Sequence, residues 1–240
     1  MTASRPGGFL ARYDDDSAPT LRSWLTDLAR RGLPPLLGLF ALNAAVGLFL
    51  VHGLGGNPGE AAVNRVLQDG RTPTLDSLAA LGSTMGSVVV NIAGCLVLMA
   101  VVWVATRRWW VAVLPGVALV AEAVLHMAAT GLVDRTRPPG VEQLDAAPPT
   151  AAFPSGHTGA TLAQLVIVGL LVTRLQNRLL TVLTWIVVAT YIGVVIWARL
   201  YQGMHVPTDI AMGVVNGAAC AVIAWRALRR GAEGSPELVR

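Results

Sequence analysis

The chain has 240 residues, of which 54% are hydrophobic and only 13% are charged, with a formal net charge of +4. About a quarter of the residues in soluble domains are charged, so this composition indicates a chain that is surrounded mostly by lipid. All 18 basic residues are arginines, and they stand singly or in pairs between apolar runs. This spacing excludes the continuous basic stripe of a nucleic-acid-binding surface.

Six apolar stretches are long enough to cross a bilayer, which takes about 20 residues per helix. They lie near 33–53, 86–106, 109–130, 156–174, 179–198 and 206–226. The sequence therefore predicts an all-α bundle of six transmembrane helices in one membrane domain, 32–228. Only two arginines separate the second stretch from the third, which predicts a tight helical hairpin.

The polar segments at the two ends predict cytoplasmic tails over 1–31 and 229–240. The first apolar run starts too late for a cleaved signal peptide, and we expect one short amphipathic helix around 19–31. In the first outer loop, 55–85, apolar residues recur at helical spacing and predict short interfacial helices. These helices either cover the bundle or guide lipid access, and the sequence leaves both readings open.

The distribution of arginine predicts the orientation of the chain. With the N-terminus inside, most arginines are cytoplasmic and few remain outside, as the positive-inside rule requires. The outer ones are Arg65, Arg71, Arg135, Arg137 and Arg199. The absence of lysine, with many Ala, Val and Gly residues, is typical of a GC-rich bacterial genome. We therefore expect a multi-pass protein of a bacterial plasma membrane with its outer loops extracytoplasmic.

The segment Phe-Pro-Ser-Gly-His, 153–157, is typical of a helix N-terminus with Ser155 as the N-cap. The first N–H groups of a helix lack internal partners and, together with the helix dipole, they bind anions. Gly156 lets the backbone approach such an anion, and His157 follows in the first turn. A capped helix with an incidental histidine is the alternative reading of this segment alone.

The segment 199–209 brings Arg199, His205 and Asp209 to one membrane boundary. An arginine clamps phosphate oxygens with two N–H groups. A carboxylate four residues from an imidazole can accept its Nδ1–H, which leaves Nε2 free as a nucleophile. A snorkelling arginine beside an ordinary interfacial ion pair is the alternative.

The Arg-Thr-Arg-Pro run after the third apolar stretch adds Arg137 and Arg135 as candidate phosphate clamps. Within that stretch, Glu122, His126 and Thr130 are spaced four residues apart and share one helix face. Ionisable residues in a membrane span indicate a functional site. The stripe either points to the active site as a supporting element or forms a mutually satisfied pair inside the bundle. The two cysteines, in apolar runs, are expected to be buried free thiols.

Arg-Pro, then Pro-Ser-Gly-His, then Arg-x5-His-x3-Asp, in this order between the spans of a six-helix protein, resemble the type 2 phosphatidic acid phosphatase superfamily. The likeness in layout extends over 33–226. That superfamily includes membrane lipid phosphatases, soluble acid phosphatases and vanadium haloperoxidases.

The resemblance implies a role for each matching residue. His205 attacks phosphorus and becomes phosphohistidine, Asp209 orients its ring, and His157 protonates the leaving oxygen and then activates water. The equatorial phosphate oxygens are held by Arg137, Ser155, Gly156 and Arg199, with Arg135 as a further clamp. No metal or other cofactor is implied, because arginines and helix N–H groups supply the positive field.

Two positions depart from the family pattern. Thr130 stands where the family has a lysine seven residues before the Arg of Arg-Pro, and Ala198 stands where a serine precedes the Arg of the third motif. The lysine matters more, since it is a phosphate clamp. Either Arg135 compensates for it, or the substrate differs, or the chain is inactive.

The leading hypothesis is an integral-membrane phosphatase that acts on a lipid phosphate or diphosphate at the outer leaflet. Polyprenyl diphosphate, phosphatidic acid and phosphatidylglycerophosphate are the candidate substrates. One alternative is a lipid phosphotransferase that uses the same phosphohistidine, and another is a non-catalytic lipid-binding or transport relative, which Thr130 favours. The expected partners are the lipid substrate and the bilayer, without nucleic acid; the oligomeric state is left open.

Overall fold

The computed structural model describes residues 18–146 and 150–227. In these two ranges all regular elements are helices, and six helical segments are long and apolar enough to cross a membrane. This confirms the predicted six-span all-α bundle. The membrane helices are α1 (Leu21–Leu48), α4 (Val88–Thr106), α6 (Leu114–Val133), α7 (Gly156–Thr173), α8 (Arg178–Tyr201) and α9 (Pro207–Ala227). The C-terminal tail and residues 1–17 of the N-terminal tail lie outside the described residues.

The first span starts earlier than the sequence suggested. Helix α1 begins at Leu21, where Oγ1 of Thr20 accepts the Ser23 N–H at 3.2 Å, and continues through Pro34 and Pro35. A five-residue π turn, Phe49–Gly53, extends it. The short helix expected around 19–31 is therefore not separate but forms the first turns of α1. Proline interrupts hydrogen bonds in a helix, but packing against neighbouring helices, here α9 and α6, sustains it within a bilayer.

The loop between α1 and α4, which the arginine distribution predicts to be the first outer loop, contains short helices, as expected. A short 3-10 turn, Pro58–Glu60, leads into α2 (Ala61–Asp69), and α3 (Pro73–Met85) follows. Both helices pack against α8, with α3 the closer partner. They therefore cover the outer end of α8, where the third motif begins.

The hairpin between the second and third spans is as tight as predicted. Arg107 ends α4 in the left-handed region (φ 56°), and the single-turn α5 (Trp109–Ala112) leads directly into α6. The cysteines, Cys95 on α4 and Cys220 on α9, are buried free thiols, as expected.

Helices α7 and α9 form the centre of the bundle and make its most extensive helix contact. Glycines allow this close approach: a Cβ on Gly213 would lie 2.6 Å from the Ser155 carbonyl oxygen, and one on Gly217 would overlap the Gly159 carbonyl. The Ser155 N–H also donates to the Asp209 carbonyl at 3.0 Å. These contacts bring the starts of α7 and α9, and so the second and third motifs, side by side.

Candidate active site

A cavity of about 440 Å³ opens where the three motifs meet. The sequence-predicted residues that line it are Arg137, Gly156, His157, Arg199, His205, His126 and Glu122. Four predicted residues are not among its lining: Arg135, Ser155, Asp209 and Thr130. The fold therefore gathers three histidines, two arginines and a helix N-terminus from distant parts of the chain around one cavity.

His205 is held in a defined orientation at the start of α9. Its Nδ1 lies 2.7 Å from the Ala152 carbonyl oxygen, which can only accept, so the ring donates through Nδ1–H. Nε2 is then left unprotonated in the neutral ring, which lines the cavity. Burial, followed by the charges of Arg199 and Arg137, holds the pKa of His205 well below its ordinary value. The imidazole is therefore neutral near pH 7 and suited to nucleophilic attack.

Asp209 does not orient the ring in the way the spacing suggested. Its Oδ2 lies 3.9 Å from Nδ1 of His205 and accepts the Val206 N–H at 2.9 Å instead. The Ala152 carbonyl takes the expected place of the carboxylate, because the backbone after α6 returns beside His205. Asp209 accepts a bond from Arg135 Nη1 at 2.6 Å, so this carboxylate stabilises the first turn of α9.

Arg135 does not face the cavity, which speaks against its expected role as a phosphate clamp. It is 3% exposed, and its guanidinium bonds Asp209, Thr208, Glu60 and the Gly56 carbonyl. Glu60 in turn accepts the Thr208 N–H at 3.0 Å and its hydroxyl at 2.8 Å. Arg135 thus links the first outer loop to α9 and cannot compensate for the lysine that Thr130 replaces.

Arg199 enters the cavity from the last turn of α8 and is almost fully buried. Its Nη1 donates to Oγ of Ser83 at 2.6 Å and to Oδ2 of Asp145 at 2.7 Å. Its Nε has no hydrogen-bond partner among the described residues. Partial burial raises the pKa of Asp145, but the hydrogen bond and the charge of Arg199, with smaller contributions from His157 and the Ala146 backbone, together outweigh it and the pKa is lowered. An ionised Asp145 therefore fixes the guanidinium at the wall of the cavity.

Arg137 approaches the cavity from the opposite side, and its Nη1 donates to the Met204 carbonyl next to His205. Burial and the charge of Arg199 lower its pKa to about 10. The side chain therefore stays positive at neutral pH. Two close positive charges in a buried cavity repel each other unless an anion is bound between them.

The start of α7 supplies the third wall. Gly156 and His157 line the cavity, where the first N–H groups of the helix have no intrahelical partner. Ser155 is the N-cap residue by position, but its side chain makes no capping bond; its Oγ lies 3.0 Å from Oγ1 of Thr158. The Ser155 side chain is fully buried and is not part of the cavity lining, so its expected contact with phosphate stays a prediction.

The three residues that share one face of α6 lie in two different surroundings, the cavity and the protein interior. Glu122 and His126 line the cavity, whereas Oγ1 of Thr130 donates to the Phe153 carbonyl at 3.2 Å. Oε1 of Glu122 and Nδ1 of His126 have no hydrogen-bond partner in the described part of the chain. The reading of these two as a mutually satisfied pair is therefore wrong.

Sequence reasoning missed several residues that position the site. Nδ2 of Asn64, on α2, donates to the His205 carbonyl at 2.9 Å and to the Leu200 carbonyl at 2.6 Å, which fixes the segment that carries His205. Glu60 and Asp145 hold the two arginines described above. All three lie in loops between the spans, where no sequence spacing indicates their partners.

Within 18–146 and 150–227, no three His, Cys, Asp or Glu side chains are grouped so as to hold a metal ion. The positive groups around the cavity are the arginines and the N-terminus of α7.

The family model described as the PAP2 superfamily matches residues 109–232, more than half of the chain and all three motifs. The chain belongs to the PAP2 superfamily. No curated protein matches it significantly. This membership confirms the resemblance read from the motifs.

Two solved PAP2-type structures share the fold. A transmembrane phosphatidylglycerolphosphate phosphatase from Bacillus subtilis superposes with a TM-score of 0.67 at 19% identity, over 81% of this chain and 94% of that one. LpxE from Aquifex aeolicus gives a TM-score of 0.55 at 20% identity, over 68% of this chain and 92% of that one. The chain therefore has the fold of a multi-pass PAP2-type membrane phosphatase.

Proposed function

We propose that this PAP2 protein hydrolyses a lipid phosphate or diphosphate through a phosphohistidine formed on His205. The observation that carries the proposal is the orientation of His205: its Nδ1–H is bound by the Ala152 carbonyl, and the ring lines a cavity shared with His157, Arg137 and Arg199. A neutral imidazole with a fixed tautomer and an adjacent anion site has what nucleophilic attack on phosphorus requires.

In the first step, Nε2 of His205 attacks phosphorus in line with the leaving oxygen. The P–N bond forms as the P–O bond breaks, and His157 donates a proton to the departing alkoxide or phosphate. In the second step, His157 accepts a proton from water as the water oxygen attacks phosphorus. The P–N bond then breaks, and phosphate leaves with His205 neutral again.

Charge stabilisation comes from residues that are already in place. Arg137, Arg199 and the start of α7 line the cavity, and their N–H groups can donate to oxygens that gain charge in the transition state. This preorganised positive field supports a mechanism without a metal ion.

A lipid substrate is favoured by the walls of the cavity. On one side they consist of apolar residues from α4 and α6, and Val88 (70% exposed), Ile92 (50%) and Met127 (72%) also face outward from the bundle. An acyl or prenyl chain can therefore lie between these helices while its phosphate reaches the arginines. Phosphatidylglycerophosphate, phosphatidic acid and polyprenyl diphosphate all meet this requirement.

The arginine distribution supports a bacterial plasma-membrane protein with cytoplasmic termini and an extracytoplasmic site. Helices α2 and α3, with the loop after α6, then form the outer face above a phosphatase domain of 32–228.

The test is release of inorganic phosphate by the purified full chain from the three candidate lipids in mixed micelles. His205→Ala should abolish release, while His52→Ala, which changes an exposed histidine away from the cavity, should retain it. A glycerol acceptor in a parallel reaction separates transfer from hydrolysis. Full activity of His205→Ala, or no release from any lipid by the unchanged protein, would refute the proposal.

A further inference from the structure

Glu122 and His126, which we call the polar recess, line the cavity but have no part in the phosphate chemistry proposed above. Glu122 is only 2% exposed and its Oε1 has no hydrogen-bond partner in the described ranges; Nδ1 of His126 is likewise buried without a partner. Buried polar atoms in proteins are nearly always hydrogen-bonded. Two such atoms without partners, on two residues that line one cavity, therefore indicate that a ligand supplies the missing bonds.

The two glycines of α7 that face the recess define its depth. A Cβ on Gly156 would lie 2.9 Å from Nε2 of His126, so the ring is level with the start of α7. A Cβ on Gly159 would overlap Oε1 of Glu122, so the carboxyl lies three residues further along the helix. At 1.5 Å per residue this is about 4–5 Å deeper than the phosphate site. The recess thus lies where the carbon atoms next to a bound lipid phosphate would be.

The chemistry of the recess fits a hydroxyl group. A hydroxyl donates one bond and accepts others, so it can donate to a carboxylate while it accepts from Nδ1–H, or donate to an unprotonated Nδ1 while it accepts from a protonated carboxyl. An ester carbonyl only accepts and leaves a carboxylate without a donor. An ammonium group only donates, and it would share the cavity with the charges of Arg137 and Arg199.

We propose that Glu122 and His126 bind a free hydroxyl on the carbon next to the phosphate-bearing carbon of the substrate. The inference rests on the proposed function, which places the phosphate at the start of α7. It divides the candidate lipids into two classes. Phosphatidylglycerophosphate and lysophosphatidic acid carry such a hydroxyl, whereas in phosphatidic acid it is acylated and polyprenyl diphosphate has none.

The test compares two substrates that differ by one oxygen: lysophosphatidic acid and its 2-deoxy analogue, an acyl-propanediol phosphate. The unchanged protein should favour the hydroxylated lipid in kcat/KM by about tenfold or more, the effect of one buried hydrogen bond. Glu122→Leu and His126→Leu should each reduce this ratio toward one. Met127→Leu, at another cavity position on the same helix, should keep the ratio.

Thermal unfolding without substrate shows whether Glu122 binds the substrate or only packs the bundle. Glu122→Leu removes an unpaired buried carboxyl and should raise the melting temperature by about 2–4 °C. A lower melting temperature with an unchanged substrate ratio would assign Glu122 to packing and overturn the proposal. Equal kcat/KM for the two lipids in the unchanged protein would overturn it too.

Failure of the proposed function gives a different result, because neither lipid then releases phosphate. The recess is tested in that case by ligand-induced stabilisation of the unchanged protein. Lysophosphatidic acid should raise the melting temperature more than the deoxy lipid at equal concentration. Equal shifts would refute the recess independently of catalysis.

Discussion

Arg135 and Asp209 form a buried ion pair in which Nη1 of the arginine lies 2.6 Å from Oδ1 of the carboxylate. The pair joins the segment after α6 to the first turn of α9, which follows His205 directly in the chain. Both residues belong to motifs that predicted direct roles in the chemistry. Their mutual contact instead indicates that they hold the start of α9 in place and so position His205.

Replacing Arg135 and Arg137 one at a time should distinguish a loss of stability from a loss of activity. Arg135→Met leaves Asp209 and Glu60 without their cation and should cost about 3–5 kcal/mol of stability, seen as a lower melting temperature in detergent. Arg137→Met removes a donor from the cavity and should lower kcat/KM about 10²–10³-fold with a smaller loss of stability. The reverse pattern would contradict the assignment of the two side chains.

Asp209→Asn tests which group fixes the tautomer of His205. The Ala152 carbonyl still accepts the Nδ1–H in this variant, and the amide oxygen can still accept the Val206 N–H. The fall in kcat should therefore stay well short of the ~10⁴-fold loss that follows when a histidine takes the wrong tautomer. A loss of that size in a folded Asp209→Asn protein would restore the carboxylate as the orienting group.

The all-α six-span fold was predictable because hydrophobic length is a local property of the chain, and the short helices of the outer loop followed from helical spacing. The start of α1 was missed since residues 21–31 contain charges, although the helix also continues through the prolines at 34 and 35. A helix in a bilayer continues through such positions when its neighbours support it.

The site was predictable as a set of motifs but not as a set of contacts. Spacing placed His205 and Asp209 four residues apart, but it could not show that the backbone at Ala152 would take the Nδ1–H. Likewise, the sequence offered two outer arginines and no means of telling which one faces the cavity. Arg135 pairs with Glu60, which lies in a different loop, and is therefore held away from the cavity.

The pH dependence of kcat/KM should show the lowered pKa of His205. Because burial and the charges of Arg199 and Arg137 disfavour the imidazolium, the ring stays neutral below pH 6.5 and activity should fall only when the pH crosses the lowered pKa. Arg199→Gln removes one of these charges and should move this acid limb to higher pH. A limb at 6.5 or above in the unchanged protein, or no shift in the variant, would contradict this environment.

The same shift makes stability depend on pH. In the unfolded chain His205 has its ordinary pKa and binds a proton at higher pH than in the folded protein. The stability that the neutral ring contributes is therefore present above about pH 6.5 and is lost as the pH falls. Melting temperatures across this range should show this decline, and His205→Phe should reduce it; an identical decline in that variant would assign it to other groups.

Cysteine labelling tests the orientation. The native thiols, Cys95 and Cys220, are buried, so a membrane-impermeant maleimide reports mainly on introduced cysteines. Glu142→Cys, at an exposed site in the loop after α6, should react in intact cells. Leu175→Cys, an exposed position between α7 and α8, should react only after lysis. The opposite result would place the cavity on the cytoplasmic side.

The most direct measurement is detection of phosphate on His205 itself. A His157→Ala protein lacks the base that activates water and should accumulate the intermediate when mixed with a turned-over lipid. Since phosphohistidine is labile in acid, the reaction is stopped in alkali and the peptides are mapped by mass spectrometry. We predict phosphate on His205 and none in the His157→Ala/His205→Ala protein. Phosphate on another residue, or phosphate release that persists in His205→Ala, would contradict the account.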